Sequence, residues 1–139
     1  MKVFTGRIIK HGRAQGRALV SPEPISFFGM VDAETGIVIE KDHPLVGQCI
    51  SGRVLVFPTG KGSTVGSYSL YRLAKAGLAP AAIVNAESET IVAVGAIISD
   101  IAMVDQVDIA QIQTGDLVSV DGAQITIRHN RQVGSAPGG

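Results

Sequence analysis

A chain of 139 residues, 45% hydrophobic and 17% charged, is the size of one domain with its own buried core, and disorder is excluded for its body. Twelve basic and twelve acidic residues cancel, and aromatics are 4% with no Trp, which removes the basic footprint and the stacking platform of a nucleic-acid binder. The single cysteine, Cys49, excludes an internal disulfide and an iron–sulfur or zinc site built from this chain's own thiolates.

The opening residues, MKVFTGRIIKHGRAQG, carry charges throughout and lack the apolar run of a signal peptide. Val3–Ile9 alternates weakly and Arg17–Ser21 stops at Pro22, so both are expected as strands. Pro24–Gly29 reads as a loop with apolar anchors, Asp32–Gly36 as a turn, and Ile37–Ile39 as a short strand. Arg53–Phe57 is continuous, rich in β-branched residues and ended by Pro58, the pattern of a fully buried strand. After it the period changes. Leu70, Leu73 and Ala74 are spaced three and four apart, Gly77 supplies a stop and Pro80 prevents continuation, which predicts a helix beginning between Thr64 and Ser67.

Ala81–Val84 is the next core strand, so the centre of the chain is a strand–loop–helix–strand crossover. Thr90–Ser99 is apolar but interrupted by Gly95, and its period does not choose between helix and strand. Met103-Val104 is a short strand. Leu117–Val120 and Ile125–Ile127 flank Asp121-Gly122 as a hairpin. The expectation is a single strand-rich α/β domain over 1–130 with a flexible tail over 131–139. No stretch reaches the roughly 18 apolar residues of a membrane span, so a soluble cytoplasmic protein that touches no membrane is expected. High apolar content without net charge also suggests that a partner covers part of the surface.

One dense polar and glycine-rich cluster, Pro58–Tyr68 (PTGKGSTVGSY), lies between the clearest strand and the clearest helix. Backbone N–H groups at a helix start carry partial positive charge and favour carboxylate or phosphate. Gly60, Gly62 and Gly66 allow close backbone approach, Lys61 adds a full charge, and Ser63 or Thr64 sets a hydroxyl in that field. The spacing is not that of a P-loop. The same residues are equally consistent with ordinary turn glycines and a helix cap on Ser63, Thr64 or Ser67.

The stretch Gly60–Tyr71 (GKGSTVGSYSLY), together with Gly95–Ile98 and Asp32–Glu40 (DAETGIVIE), resembles the small subunit of the aconitase X family, over about Gly6 to Val120. Within the family it is most similar to the archaeal phosphomevalonate-dehydrating branch. The bacterial branch, acting on cis-3-hydroxy-L-proline, has a run of serines where this chain has Thr64-Val65-Gly66. The resemblance implies a swivelling β/β/α domain. It also implies a large aconitase-like subunit holding an iron–sulfur cluster, expected as [4Fe-4S], and a small phosphorylated hydroxy acid as substrate. Ser63 matches the family's proton-acceptor serine, removing the proton beside a carboxylate while cluster iron takes the departing hydroxyl. Lys61, Gly62 and Thr64 are the expected substrate-binding residues.

Other candidates carry blander expectations. His11, His43 and His129 have no metal-like spacing and are expected on the surface or in loops. Cys49 is expected as a small buried hydrophobe. Glu87 and Glu89 read as a solvated loop or a face toward the partner, Asp32 as a turn residue, and Phe27 and Phe28 as an interface anchor or core packing, with core packing for at least one. Two other function classes fit the same fold. A phosphohistidine carrier needs a histidine before the helix, and Pro58–Thr64 has none. A non-catalytic module would use the glycine loop to hold a phosphate.

Overall fold

The computed structural model describes residues 1–62 and 64–129. Ser63 and the tail over 131–139 lie outside the described residues. Eight strands form one sheet: β1 (Lys2–Thr5), β2 (Arg7–Lys10), β3 (Arg13–Val20), β4 (Val54–Phe57), β5 (Ala82–Asn85), β6 (Ala102–Asp105), β7 (Leu117–Asp121) and β8 (Gln124–Arg128). Their order is β1-β8-β7-β3-β4-β5-β6-β2. β1 and β2, adjacent in the chain, thus hold the two opposite edges, and the sheet curls until the chain itself joins them.

Gly6 is the joint, and it divides the single strand expected over Val3–Ile9. Its N–H donates to Ala123 O at 2.8 Å, while a Cβ there would stand 2.5 Å from both Asp105 O and Val104 Cγ1. Only a residue without a side chain passes so close to β6. On the other side β3 serves two layers. Arg13–Arg17 pairs antiparallel with β7, and Ala18–Val20 pairs parallel with β4, so the expected strand Arg17–Ser21 is the end of a longer one.

Alternation then sorts the side chains into two cores. Val54 and Val56 of β4, Ala82 and Val84 of β5, and Ala102 and Val104 of β6 face the closed interior, meeting Val118, Val120, Ile125 and Ile127 from the β7–β8 hairpin. Leu55, Phe57, Ile83 and Met103 face outward against helices α2 (Val65–Lys75) and α3 (Thr90–Ser99). The result is two β layers and one helical layer, as the family resemblance implies. A short turn with non-helical angles at Phe28 and Gly29, α1 (Phe27–Met30), joins the second core through Phe27, whose ring meets Phe57 edge-on at 6.3 Å.

α2 and α3 lie side by side because both carry glycine at the contact. A Cβ on Gly95 would stand 3.2 Å from Ser67 Cα, and one on Gly66 would stand 3.2 Å from Ile91 Cγ2. Ser67 Oγ donates to Ile91 O across the seam.

Thr90–Ser99, undecided by period, is a helix. Glu89 accepts from the N–H groups of Ile91 and Val92, and Asp100 ends the helix in the left-handed region. Ile37 and Val38 make isolated bridges rather than a strand. One side chain corrects the sequence reading, and a second lies in a loop as expected but is buried there. Cys49 is exposed, because its backbone bridges Ile37 on a surface loop. His43 is buried at 3% exposure, its Nδ1 accepting from Leu45 N–H at 3.0 Å and its Nε2 3.4 Å from Ser21 Oγ. Its place is thus in a loop, where it pins the long segment after β3.

Candidate functional site

Strands β3, β4, β5 and β6 run in the same direction, so the loops that follow β4 and β5 leave from one end of the sheet and both lead into helices there. In such sheets that end is where ligands bind. The loop after β4 begins as an extension of the parallel ladder. Ile25 N–H donates to Thr59 O at 3.2 Å, Lys61 N–H donates to Ile25 O at 3.0 Å, and Ile25 bridges Gly60. Gly60 is buried against the start of α3; a Cβ there would lie 2.5 Å from Val92 Cγ2 and 2.7 Å from Glu89 Oε1.

Lys61 and Gly62 turn outward and are exposed. Gly62 has φ +105°, a region that L side chains rarely enter, and a Cβ there would collide with Ser26 Oγ. Thr64 occupies the N-cap position of α2 with helical angles (φ −59°, ψ −21°), is exposed, and makes no side-chain cap hydrogen bond. The alternative that Thr64 simply caps the helix is therefore not realised, and the first turn of α2 lacks that acceptor. Ser63 lies between these two residues in the chain and outside the described structure. The structure brings Lys61, Gly62 and Thr64 together at the mouth of α2.

A second tier of residues fixes this loop, and sequence reading passed over it. At the ends of β5 and β6, Asn85 and Asp105 are fully buried on the helical side of the sheet. Asn85 Nδ2 donates to Phe57 O at 3.0 Å, the last carbonyl of β4, while its Oδ1 is buried without a partner among the described residues. Asp105 takes two hydrogen bonds from Arg7, 2.9 Å to Oδ1 and 2.7 Å to Oδ2, and a third from Ser88 N–H at 2.9 Å. Burial pushes the Asp105 carboxyl up, but the hydrogen bonds from Arg7 and Ser88, with the Arg7 charge, outweigh it and hold it down at about 2. Ser88 positions Glu89, which caps α3 and abuts Gly60. Glu87 N–H donates to Pro58 O at 3.0 Å and ties the same two loops. Glu87 is exposed as expected, whereas Glu89 is a capping residue rather than a solvated one.

The remaining candidates fall away from the loop or into packing. Asp32 accepts from Glu34 N–H at 2.9 Å, an ordinary turn aspartate. Phe27 is core and Phe28 is 55% exposed. His129 Nδ1 lies 3.0 Å from the buried Asp116, and His11 is exposed. Among the described residues no group of three or more His, Cys, Asp or Glu is arranged to hold a metal ion. With one exposed cysteine in the sequence, this chain's side chains do not fit the thiolate shell of an iron–sulfur cluster. No helix of the described residues is long and apolar enough to cross a membrane.

Comparison with known proteins places the fold. Residues 3–129 match the model of the aconitase X swivel domain. The chain is 55% identical over 122 residues to the phosphomevalonate dehydratase small subunit of Methanosarcina acetivorans, covering 86% of this chain and 85% of that one. It is 58% identical over 120 residues to the protein of the same name from Methanocella arvoryzae, covering 84% and 91%. The crystal structure of Thermococcus kodakaraensis aconitase X in its holo form superposes with a TM-score of 0.90 at 51% identity, covering 93% of this chain and all of that one. The chain belongs to the aconitase X swivel domain family.

Proposed function

We propose that this chain is the small subunit of a hydro-lyase that dehydrates (R)-5-phosphomevalonate to trans-anhydromevalonate 5-phosphate, a step toward isoprenoids, in a soluble cytoplasmic complex. The observation that carries the reading is the identity of 55% and 58% to relatives bearing that name, over more than four-fifths of the chain. The glycine loop at the mouth of α2 is its chemical counterpart.

In this reading Ser63 takes the proton. The C–H bond next to the carboxylate breaks, its electron pair forms the new double bond, and the C–O bond of the neighbouring carbon breaks to release hydroxide. Proton and hydroxide leave as one water. A serine hydroxyl is a poor base until its alkoxide is stabilised, and this chain offers three means. Backbone N–H groups stand at the start of α2, where the Thr64 side chain makes no cap hydrogen bond, the glycine at 62 leaves room for an oxyanion, and Lys61 brings positive charge. Lys61, Gly62 and Thr64 bind the anionic substrate. The iron–sulfur cluster that the family implies, which supplies Lewis acidity toward hydroxide, belongs to the large subunit.

The test is reconstitution with the large subunit encoded by the same organism. Ser63→Ala should lower kcat by about 10²–10⁴-fold while KM and assembly stay near normal. Turnover close to wild type would remove the serine from the mechanism. A wild-type pair that ignores 5-phosphomevalonate and dehydrates cis-3-hydroxy-L-proline would reassign the substrate.

A further inference from the structure

A helix that lies on a domain surface ordinarily turns a polar face to water. α3 does not. Its sequence, TIVAVGAIIS, contains no charged residue, and it is apolar on every side. Val92 and Ala96 are buried in the core and Gly95 against α2, yet Val94, Ile97 and Ile98 on the opposite side are 43%, 48% and 53% exposed. The neighbouring α2 continues the patch with Val65 at 44% and Tyr68 at 60%. The outer face of β3, β7 and β8 has a different character, presenting Gln15, Ser119, Gln124 and Thr126. Five of the large exposed apolar residues share these two helices, while Met1, Val3, Ile8, Phe28, Ile39 and Val46 are spread over strands and loops, and such a shared apolar face is one that a partner is expected to cover.

We propose that the outer faces of α2 and α3 form the surface on which the large subunit docks. This rests on the reading above, in which a partner must complete the site, and two observations favour that occupant over a second copy of this chain. Val65 and Tyr68 belong to the first turn of α2, directly after Thr64, so the patch is continuous with the loop that the partner must close over. The same helix carries Arg72 and Lys75, both exposed, and no acidic residue. A twofold pairing with its axis near Arg72 and Lys75 would set these cations against their own copies with only Glu34 beside them to offset the charge, whereas a partner with an acidic rim around an apolar centre complements them.

The experiment measures association of the full chain with its large subunit by calorimetry, beside thermal melts of the small subunit alone. Val94→Glu with Ile97→Glu should leave the melt of the isolated chain nearly unchanged and weaken association on the order of 100-fold, since carboxylates buried at an interface lack partners. Arg72→Glu should weaken it by roughly tenfold, more at low salt than at high. Gln15→Glu, on the helix-free face, should change nothing. Assembly of the double variant at wild-type affinity, loss of assembly in Gln15→Glu, or self-association of the wild-type chain abolished by the double variant would each overturn the proposal. Activity separates it from the functional reading: a wild-type pair that assembles through this face without dehydrating phosphomevalonate would sink the substrate assignment and leave the docking surface standing.

Discussion

Arg7 grips Asp105 through two hydrogen bonds, Nε to Oδ1 at 2.9 Å and Nη2 to Oδ2 at 2.7 Å, and so clamps the outermost strand β2 to β6 at the end of the sheet that carries the glycine loop. The carboxylate is fully buried while the arginine side chain is 60% exposed, so the pair is anchored from the inside. Asp105 also receives Ser88 N–H, which links closure of the sheet to the loop before α3.

The pH dependence of stability follows from this pair. The Asp105 pKa is about 2 in the folded chain, below the roughly 3.9 of a free aspartate. A depressed carboxylate stabilises the fold fully above its unfolded value, and the contribution fades as pH falls from about 4 toward 2. Thermal melts of the wild type should therefore lose midpoint through that window. Asp105→Asn should melt lower at neutral pH and lose less between pH 4 and 2. Parallel pH profiles of the two proteins would refute the assignment.

Gly62 is the backbone test of the site. Ala at φ +105° is strained, and its Cβ would collide with Ser26 Oγ. Gly62→Ala should reduce kcat of the complex by at least about tenfold, because an ångström-scale shift of a catalytic loop is costly. Adding Ser26→Gly removes the collision but not the strain, so it should restore part of the loss. Full activity in Gly62→Ala would show that the loop tolerates displacement.

Glu89→Ala removes the acceptor for Ile91 and Val92 N–H and should destabilise the chain by about 1 kcal/mol, read from chemical denaturation. Because Glu89 also abuts Gly60, turnover in the complex should fall too. A stability loss without any kinetic effect would confine this residue to capping.

At the seam between α2 and α3, Gly95→Leu should cost at least about 2 kcal/mol by overpacking. Gly95→Ala should cost less, about 1 kcal/mol, since its new methyl crowds Leu70 Cδ2 at 3.1 Å and the Ser67 backbone at 3.2 Å while helix propensity improves. Equal stability of the two variants would mean the helices part freely.

Local pattern made much of this fold legible. Val54–Phe57 reads as a strand because both its faces are buried, so apolar residues run without interruption, and α2 reads as a helix because only one side of it faces the core. α3 was ambiguous for the reason that makes it interesting, since a helix apolar all round has no periodic signal. Closure of the sheet was illegible because it depends on β1 meeting β8, partners such as Val3 and Thr126 at opposite ends of the chain. The glycine loop could be found from composition and motif. Its supports could not, because Asn85, Asp105 and Ser26 reach it through contacts distant in sequence. Cys49 lies exposed where burial was expected and the loop residue His43 is buried, since hydrophobicity alone does not tell which loop residue folds under.

That two edges of one sheet are filled by a single short segment has a practical outcome for anyone handling the protein. Deleting residues 2–10 would strip a ladder partner from β8 and from β6 together, baring two rows of unpaired amides at once. Such a truncation should precipitate by recruiting neighbouring molecules strand to strand, and a tag for purification belongs where it cannot tug on Lys2–Lys10.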